Sequence, residues 1–197
     1  MLMRQVSRGL PVVLAAALLF PVPPVPAESA GSASSAIDAP TLEDGPDASL
    51  RVFVNDPSAT PSNVRDKPKG KIVGSLEVGG DFLVGLIRCE ASGWCLIDGV
   101  DTVDEGPVHL KSPSGELWMH SSILGFSTRN YGGEQVSLRA APDATARPVF
   151  SFKDERELRP LGLSDDGKWV KAATLDKKHQ GWLETRWVCG NPLTTCP

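Results

Sequence analysis

The chain has 197 residues, a formal charge of −4, and 17 prolines and 19 glycines against a single tyrosine. That length holds one ordinary domain or two small ones, and the Pro and Gly content favours a turn-rich, all-β fold over long helices. An acidic chain without a basic stripe is a poor partner for nucleic acid or other anionic polymers, whose binding rests on neutralising their charge.

Arg4 and Arg8 precede an apolar run from Leu10 to Phe20 that is too short to span a bilayer comfortably. Val25-Pro26-Ala27 then supplies the short residues a signal peptidase needs, so residues 1–27 are expected to be a secretory signal cleaved after Ala27. The alternative is an uncleaved anchor helix, against which stands the lack of any apolar stretch beyond Phe20. No cysteine follows the run to support a lipidated N-terminus. Cleavage removes two basic residues and no acidic one, which takes the charge to −6 and leaves no membrane span. The mature protein is expected in the periplasm or outside the cell.

Residues 28–48, "ESAGSASSAIDAPTLEDGPDA", are small, polar and acidic and read as a disordered linker. From Leu50 onward, "LRVFVN", "GKIVGSLEV", "DFLVGLIRC" and "WCLID" are short apolar or β-branched runs punctuated by Gly, Pro, Asp and Ser, the pattern of a small barrel or sandwich. A polar stretch follows, and the pattern resumes with "LWMHSSILGF". The order then recurs. Val64-Arg65-Asp66-Lys67-Pro68 matches Leu138-Arg139-Ala140-Ala141-Pro142, and Gly74-Ser75-Leu76 loosely matches Phe150-Ser151-Phe152. "SGWCLI" answers "DGKWVKA", and "GELWMHSSIL" answers "HQGWLETRWV". Trp94 and Trp118 lie further apart than Trp169 and Trp182, so the first copy carries an insertion, most economically a loop near 99–113. A strand pair tolerates such a loop because closure entropy grows slowly with length.

The four cysteines suit an oxidising compartment. Three pairings are formally possible; locality favours Cys89 with Cys95 around the turn "EASGW", and Cys189 with Cys196 around "GNPLTT". A four-cysteine zinc site lacks any C-x-x-C knuckle.

The order "NVR..P", "IVGSLEVGGDFLV", "GW..I", "G.LW" and "S.IL" resembles the bacterial SH3 domain family, once per half from about Leu50 to Val188. The second copy departs from the pattern, with Ser137 in place of the asparagine and charges in "FKDERELRPLG" where a glycine turn is usual; a helical turn there is an alternative. The resemblance implies two tandem SH3-like small β-barrels, a first domain at 49–126, a linker at 127–133 and a second domain at 134–197. It also implies a groove between the long first loop of each barrel and later aromatics. A ligand would then meet Arg65 and Trp118 in the first copy, and Arg139, Trp182 and Trp187 in the second.

For Arg65 and Arg139 a structural role competes with ligand contact, because a guanidinium can satisfy the carbonyls of the irregular loop that follows it. Trp94, Trp118, Trp169 and Trp182 sit beside aliphatics in predicted strands, where an aromatic is most often half core. Trp187 is the one expected to be partly exposed.

His109, His120 and His179 make no metal-ligand spacing, and paired cysteines leave no thiolate, so neither catalysis nor a metal or cofactor is expected. The expected function is non-catalytic binding of an envelope ligand, either peptidoglycan peptides or a partner protein. The alternative is a structural or inhibitory protein whose two barrels pack rigidly against one protein partner.

Overall fold

The computed structural model describes residues 49–193. The expected signal (1–27), the linker (28–48) and Cys196 lie outside the described residues. The chain forms β1 (Leu50–Val54), β2 (Ser62–Arg65), β3 (Ile72–Leu76), β4 (Phe82–Cys89), β5 (Trp94–Thr102), β6 (Gly106–Pro107), β7 (Leu117–His120) and β8 (Leu124–Thr128). There follow β9 (Val136–Arg139), β10 (Pro148–Phe152), β11 (Glu157–Leu163), β12 (Trp169–Thr174), β13 (Gln180–Glu184) and β14 (Val188–Cys189). Short 3-10 turns at Ser121–Ile123 and Thr185–Trp187 precede β8 and β14, and no α-helix occurs among the described residues. The all-β expectation holds. The segment at 152–160, for which a helical turn was the alternative, bends at 153–154 and enters β11.

All strand pairs are antiparallel, and the main path runs β10-β9-β13-β12-β11-β8-β1-β4-β5-β7-β2-β3, an open order with β10 and β3 at its ends. Outward from its centre the path reads β1-β4-β5-β7-β2-β3 on one side and β8-β11-β12-β13-β9-β10 on the other. Equivalent registers accompany equivalent strands. Val64 faces Gly74 and Asn63 faces Ser75, as Leu138 faces Phe150 and Ser137 faces Ser151. Trp94 faces His120 as Trp169 faces Glu184.

Strand β8 joins the halves. One of its edges pairs with β11, and the other pairs first with β1, through Phe53 with Gly125 and Val54 with Leu124, and then with β14, through Val188 with Thr128. Gly125 is required by this crowding. A Cβ there would lie 2.8 Å from the Phe53 ring, 3.0 Å from the Glu157 carboxylate and 3.3 Å from Asn55 Cβ. Asn55 Nδ2 donates to Glu157 Oε1 across the glycine. Beneath this joint one apolar cluster runs through both halves, including Val52, Val84, Leu86, Phe126, Leu158 and Leu183.

The extra residues of the first half form a hairpin extension of β5 rather than a structureless loop. β6 returns along β5, with Asp101 facing Pro107 and Thr102 facing Gly106, and Glu105 N donates to Thr102 Oγ1. The chain then crosses β3, where Leu110 occupies the space above Gly74; a Cβ at 74 would stand 2.6 Å from Leu110 Cδ2. In the second half the register equivalent of Gly74 is Phe150, whose own ring is half-buried and stacks on His179 at 4.1 Å between centroids. The other edge strand, β10, begins with Pro148, which has no N–H to offer a neighbouring strand.

Cys89 and Cys95 are bridged and face each other across the β4–β5 hairpin. In the chain-entropy description so short a loop stabilises by only about 2 kcal/mol. Cys189 is also disulfide-bonded.

The acidic turns are built by side-chain acceptors. At 174–178 the Thr174 hydroxyl and the Lys178 N–H donate to Asp176 Oδ1 at 2.6 and 3.1 Å, and these bonds, the hydroxyl's first, lower the Asp176 pKa from 3.8 to about 2. Because the folded value is depressed, the contribution is present above the ordinary value and is lost as pH falls from about 4 towards about 2. Denaturant unfolding at stepped pH is therefore expected to show the wild type losing stability relative to Asp176→Asn across that window, with parallel curves above it. At the joint, Gly125→Val is expected to cost about 3 kcal/mol in urea unfolding, as overpacking against the Phe53 ring and Asn55 Cβ does; a loss below about 1 kcal/mol would mean that β1 and β8 separate readily.

Candidate functional site

The side chains expected to bind are brought together only in part. In the second half, Gln135, then Val136, Ser137 and Arg139 of β9, Trp169 at the start of β12, Glu184 at the end of β13, and Arg186 and Trp187 of the second 3-10 turn surround a small cavity of about 90 Å3. Arg139 and Trp187 therefore line the same cavity. Trp182 does not line it: it faces Arg139 across β9 and β13 and lies further along the face that carries Glu184. Trp169, Glu184 and Arg186 take its place. Their signal in the sequence was the strand alternation that puts Trp182 and Glu184 on one face.

The electrostatics of this groove oppose those of the chain. Arg139 and Arg186 supply two positive charges against the single carboxylate of Glu184, which pairs with Arg186 Nε at 2.5 Å. The Arg186 guanidinium lies 5.3 Å from the Trp187 ring centroid, a separation at which a cation is attracted to the ring face. Arg139 Nη1 donates to Ala146 O at 2.8 Å and so ties down the loop between β9 and β10. Trp187 is half-buried and packs against the core on one side.

The first half holds the corresponding residues differently. Arg65 Nη1 donates to Gly70 O at 2.6 Å, the counterpart of the Arg139 bond, and its guanidinium lies 5.8 Å from the Trp94 ring centroid. Trp94 meets His120 edge-on at 5.3 Å. His120 Nδ1 accepts from Ser122 N at 3.2 Å, and its Nε2 lies 3.3 Å from Ser92 O, a carbonyl that can only accept. Trp118, expected to meet a ligand, is only 2% exposed. Its Nε1–H donates to Glu116 Oε2 at 3.0 Å and the Arg88 guanidinium lies 5.2 Å from its ring centroid. No face of it is offered to a ligand, because β7 lies between β5 and β2 and turns the ring inward.

Both arginines thus perform the structural role that competed with ligand contact in the sequence. The three histidines are apart: His109 borders the β5–β6 hairpin, His120 caps the first 3-10 turn and His179 stacks on Phe150. Among the described residues no group of three or more His, Cys, Asp or Glu side chains is placed to hold a metal ion.

No family model matches the chain, and no curated protein does. Among solved structures it is similar to NlpC2 from Trichomonas vaginalis, with 9% identity and a TM-score of 0.27 over 73% of this chain and 48% of that one. It is likewise similar to NlpC1 from the same organism, with 9% identity and a TM-score of 0.28 over 71% of this chain and 45% of that one. The chain thus spans about half the length of these two structures.

Arg65→Ala and Arg139→Ala are each expected to destabilise the fold by about 2 kcal/mol, since a charge-assisted hydrogen bond to a loop carbonyl is lost. Thermal unfolding of the two variants measures this. Lysine in place of either should recover only part of the loss, because a point charge lacks the fork geometry.

Proposed function

We propose that the chain is a non-catalytic binding protein of the cell envelope, built from two copies of an SH3-like barrel module behind a secretory signal, and that its second module carries the binding groove. The recurrent strand order and registers support the two-module description. The observation that carries the binding proposal is the convergence of Arg139, Arg186, Trp169 and Trp187 on one small cavity. In a chain of net negative charge, a groove with a surplus of guanidinium suits a ligand rich in acceptors, such as the carbonyls and carboxylates of a peptidoglycan peptide. The cavity has room for a small side chain or a chain terminus. The first module's equivalent surface, where Arg65 lies over Trp94 and His120 meets that ring edge-on, serves the fold.

A second reading draws on the joint. The hydrogen bonds that run through β8 into both halves favour a rigid unit presenting one surface to a single protein partner of the envelope.

Retention on purified cell-wall sacculi, against co-purification of a defined protein from envelope extracts, separates the two readings. Trp187→Ala is expected to weaken retention by about 2 kcal/mol with a shift of only a few degrees in thermal unfolding. Arg186→Glu reverses the groove charge at an exposed position and should weaken binding without touching the core. Wild-type retention by both variants, or no retention of the wild type on either material, would overturn the proposal.

A further inference from the structure

The residues that the first half has and the second lacks build a second cleft, of about 400 Å3. Residues 98–101 form one wall, residues 107–110 form the other, and Arg51 and Leu117 close the ends. Its floor is apolar: Val100 is buried, and Val108, Leu110 and Leu117 pack against the core. Its rim is charged. The Arg51 guanidinium donates to the Asp101 carboxylate, which neutralises both groups. Asp98 accepts from the Ser49 hydroxyl, a neutral donor, and makes no ion pair among the described residues. Its carboxylate lies over Gly85 of β4, where any Cβ would approach to 2.2 Å of both oxygens. The rim therefore keeps one uncompensated negative charge at a place defined by the sheet, beside an apolar floor.

We propose that this cleft binds an aliphatic primary ammonium, the chemistry of a lysine side chain or a linear diamine, with the ammonium at Asp98 and the methylene stem on Val108, Leu110 and Leu117. The volume lies in the range of small-ligand sites, roughly 300–1,000 Å3. An anion would meet only the His109 ring there, since Arg51 is already engaged by Asp101. A purely apolar ligand leaves the Asp98 charge unanswered at the edge of a low-dielectric surface. The second half has no such place, because β12 ends at Thr174 and the chain returns directly into β13, while Phe150 fills the space that Leu110 occupies in the first half. The site does not depend on the groove at Trp187.

The test is an amide-resolved NMR titration of the secreted chain with three probes: Nα-acetyl-L-lysine amide, 1,5-diaminopentane and Nα-acetyl-L-norleucine amide. The first two should give saturable shifts confined to residues 98–101 and 107–110, and stronger response to one of them tells a peptide-borne amine from a free one. Norleucine amide, which keeps a stem and lacks the charge, should give none. Asp98→Asn, which preserves the acceptor for Ser49, should weaken the amine at least about tenfold, whereas Asp154→Asn, at an exposed position of the second half, should leave it unchanged. Shifts that do not saturate, that map elsewhere, that norleucine amide reproduces, or that Asp98→Asn leaves intact overturn the proposal. The comparison of lysine amide with norleucine amide uses wild-type protein and stands whatever the variants do.

Discussion

Strand β8 has to satisfy two sets of neighbours at once, and the rest of the structure is arranged around that demand. Backbone N–H and C=O groups in the interior must be paired, and β8 finds partners in β11 on one edge and in β1 and β14 on the other. The first half needs β8 as its last strand and the second half needs it as its first. Residues 126 and 127 are adjacent within it. The halves are consequently held about one strand spacing apart, roughly 5 Å, rather than by a tether. That closeness explains Gly125, and it explains why burial raises the Glu157 pKa against the opposing pull of Arg159.

The two halves solve one packing problem in two ways. Each has an outer hairpin, β2–β3 or β9–β10, whose face must be covered. The second half does so with its own side chain, Phe150, braced by His179 and by the Arg156 guanidinium 5.4 Å from its ring centroid. The first half places glycine at the same register position and covers it with Leu110, borrowed from the β5–β6 extension. The extension is thus part of the core's closure as well as the wall of a cleft, and Ser114 beyond it donates to Asp66 O, tying it to the loop that Arg65 holds.

The arginine–tryptophan neighbourhood shows how little change separates a structural cluster from an open groove. At the position facing the β5 or β12 tryptophan, the first half has His120 and the second has Glu184. His120 spends its two ring nitrogens on Ser122 and Ser92 and stays edge-on to Trp94. Glu184 instead draws Arg186 to the cavity, and the 3-10 turn offers Trp187 where the first half has Ile123. Guanidinium charge and tryptophan surface therefore gather around one small cavity in the second half.

The sequence by itself determined the all-β class, the pairing of Cys89 with Cys95, the correspondence of Arg65 with Arg139 and the alignment of Gly74 with Phe150. Each is a local matter: short alternating runs, a five-residue turn and a loop closed by its own arginine carry their physics within a few residues. That Arg139 and Trp187 would lie near one another was an expectation of the resemblance rather than of any local pattern. Only the tertiary structure decided that Trp118 is fully buried, because that depends on which strands flank β7. It alone decided that β8 belongs to both halves, since strand pairing over many residues leaves no mark on local composition. It alone brought Arg51, Asp98 and Asp101 to the rim of one cleft, because their meeting requires β1, arriving from outside the hairpin, to lie beside β4 and near the end of β5.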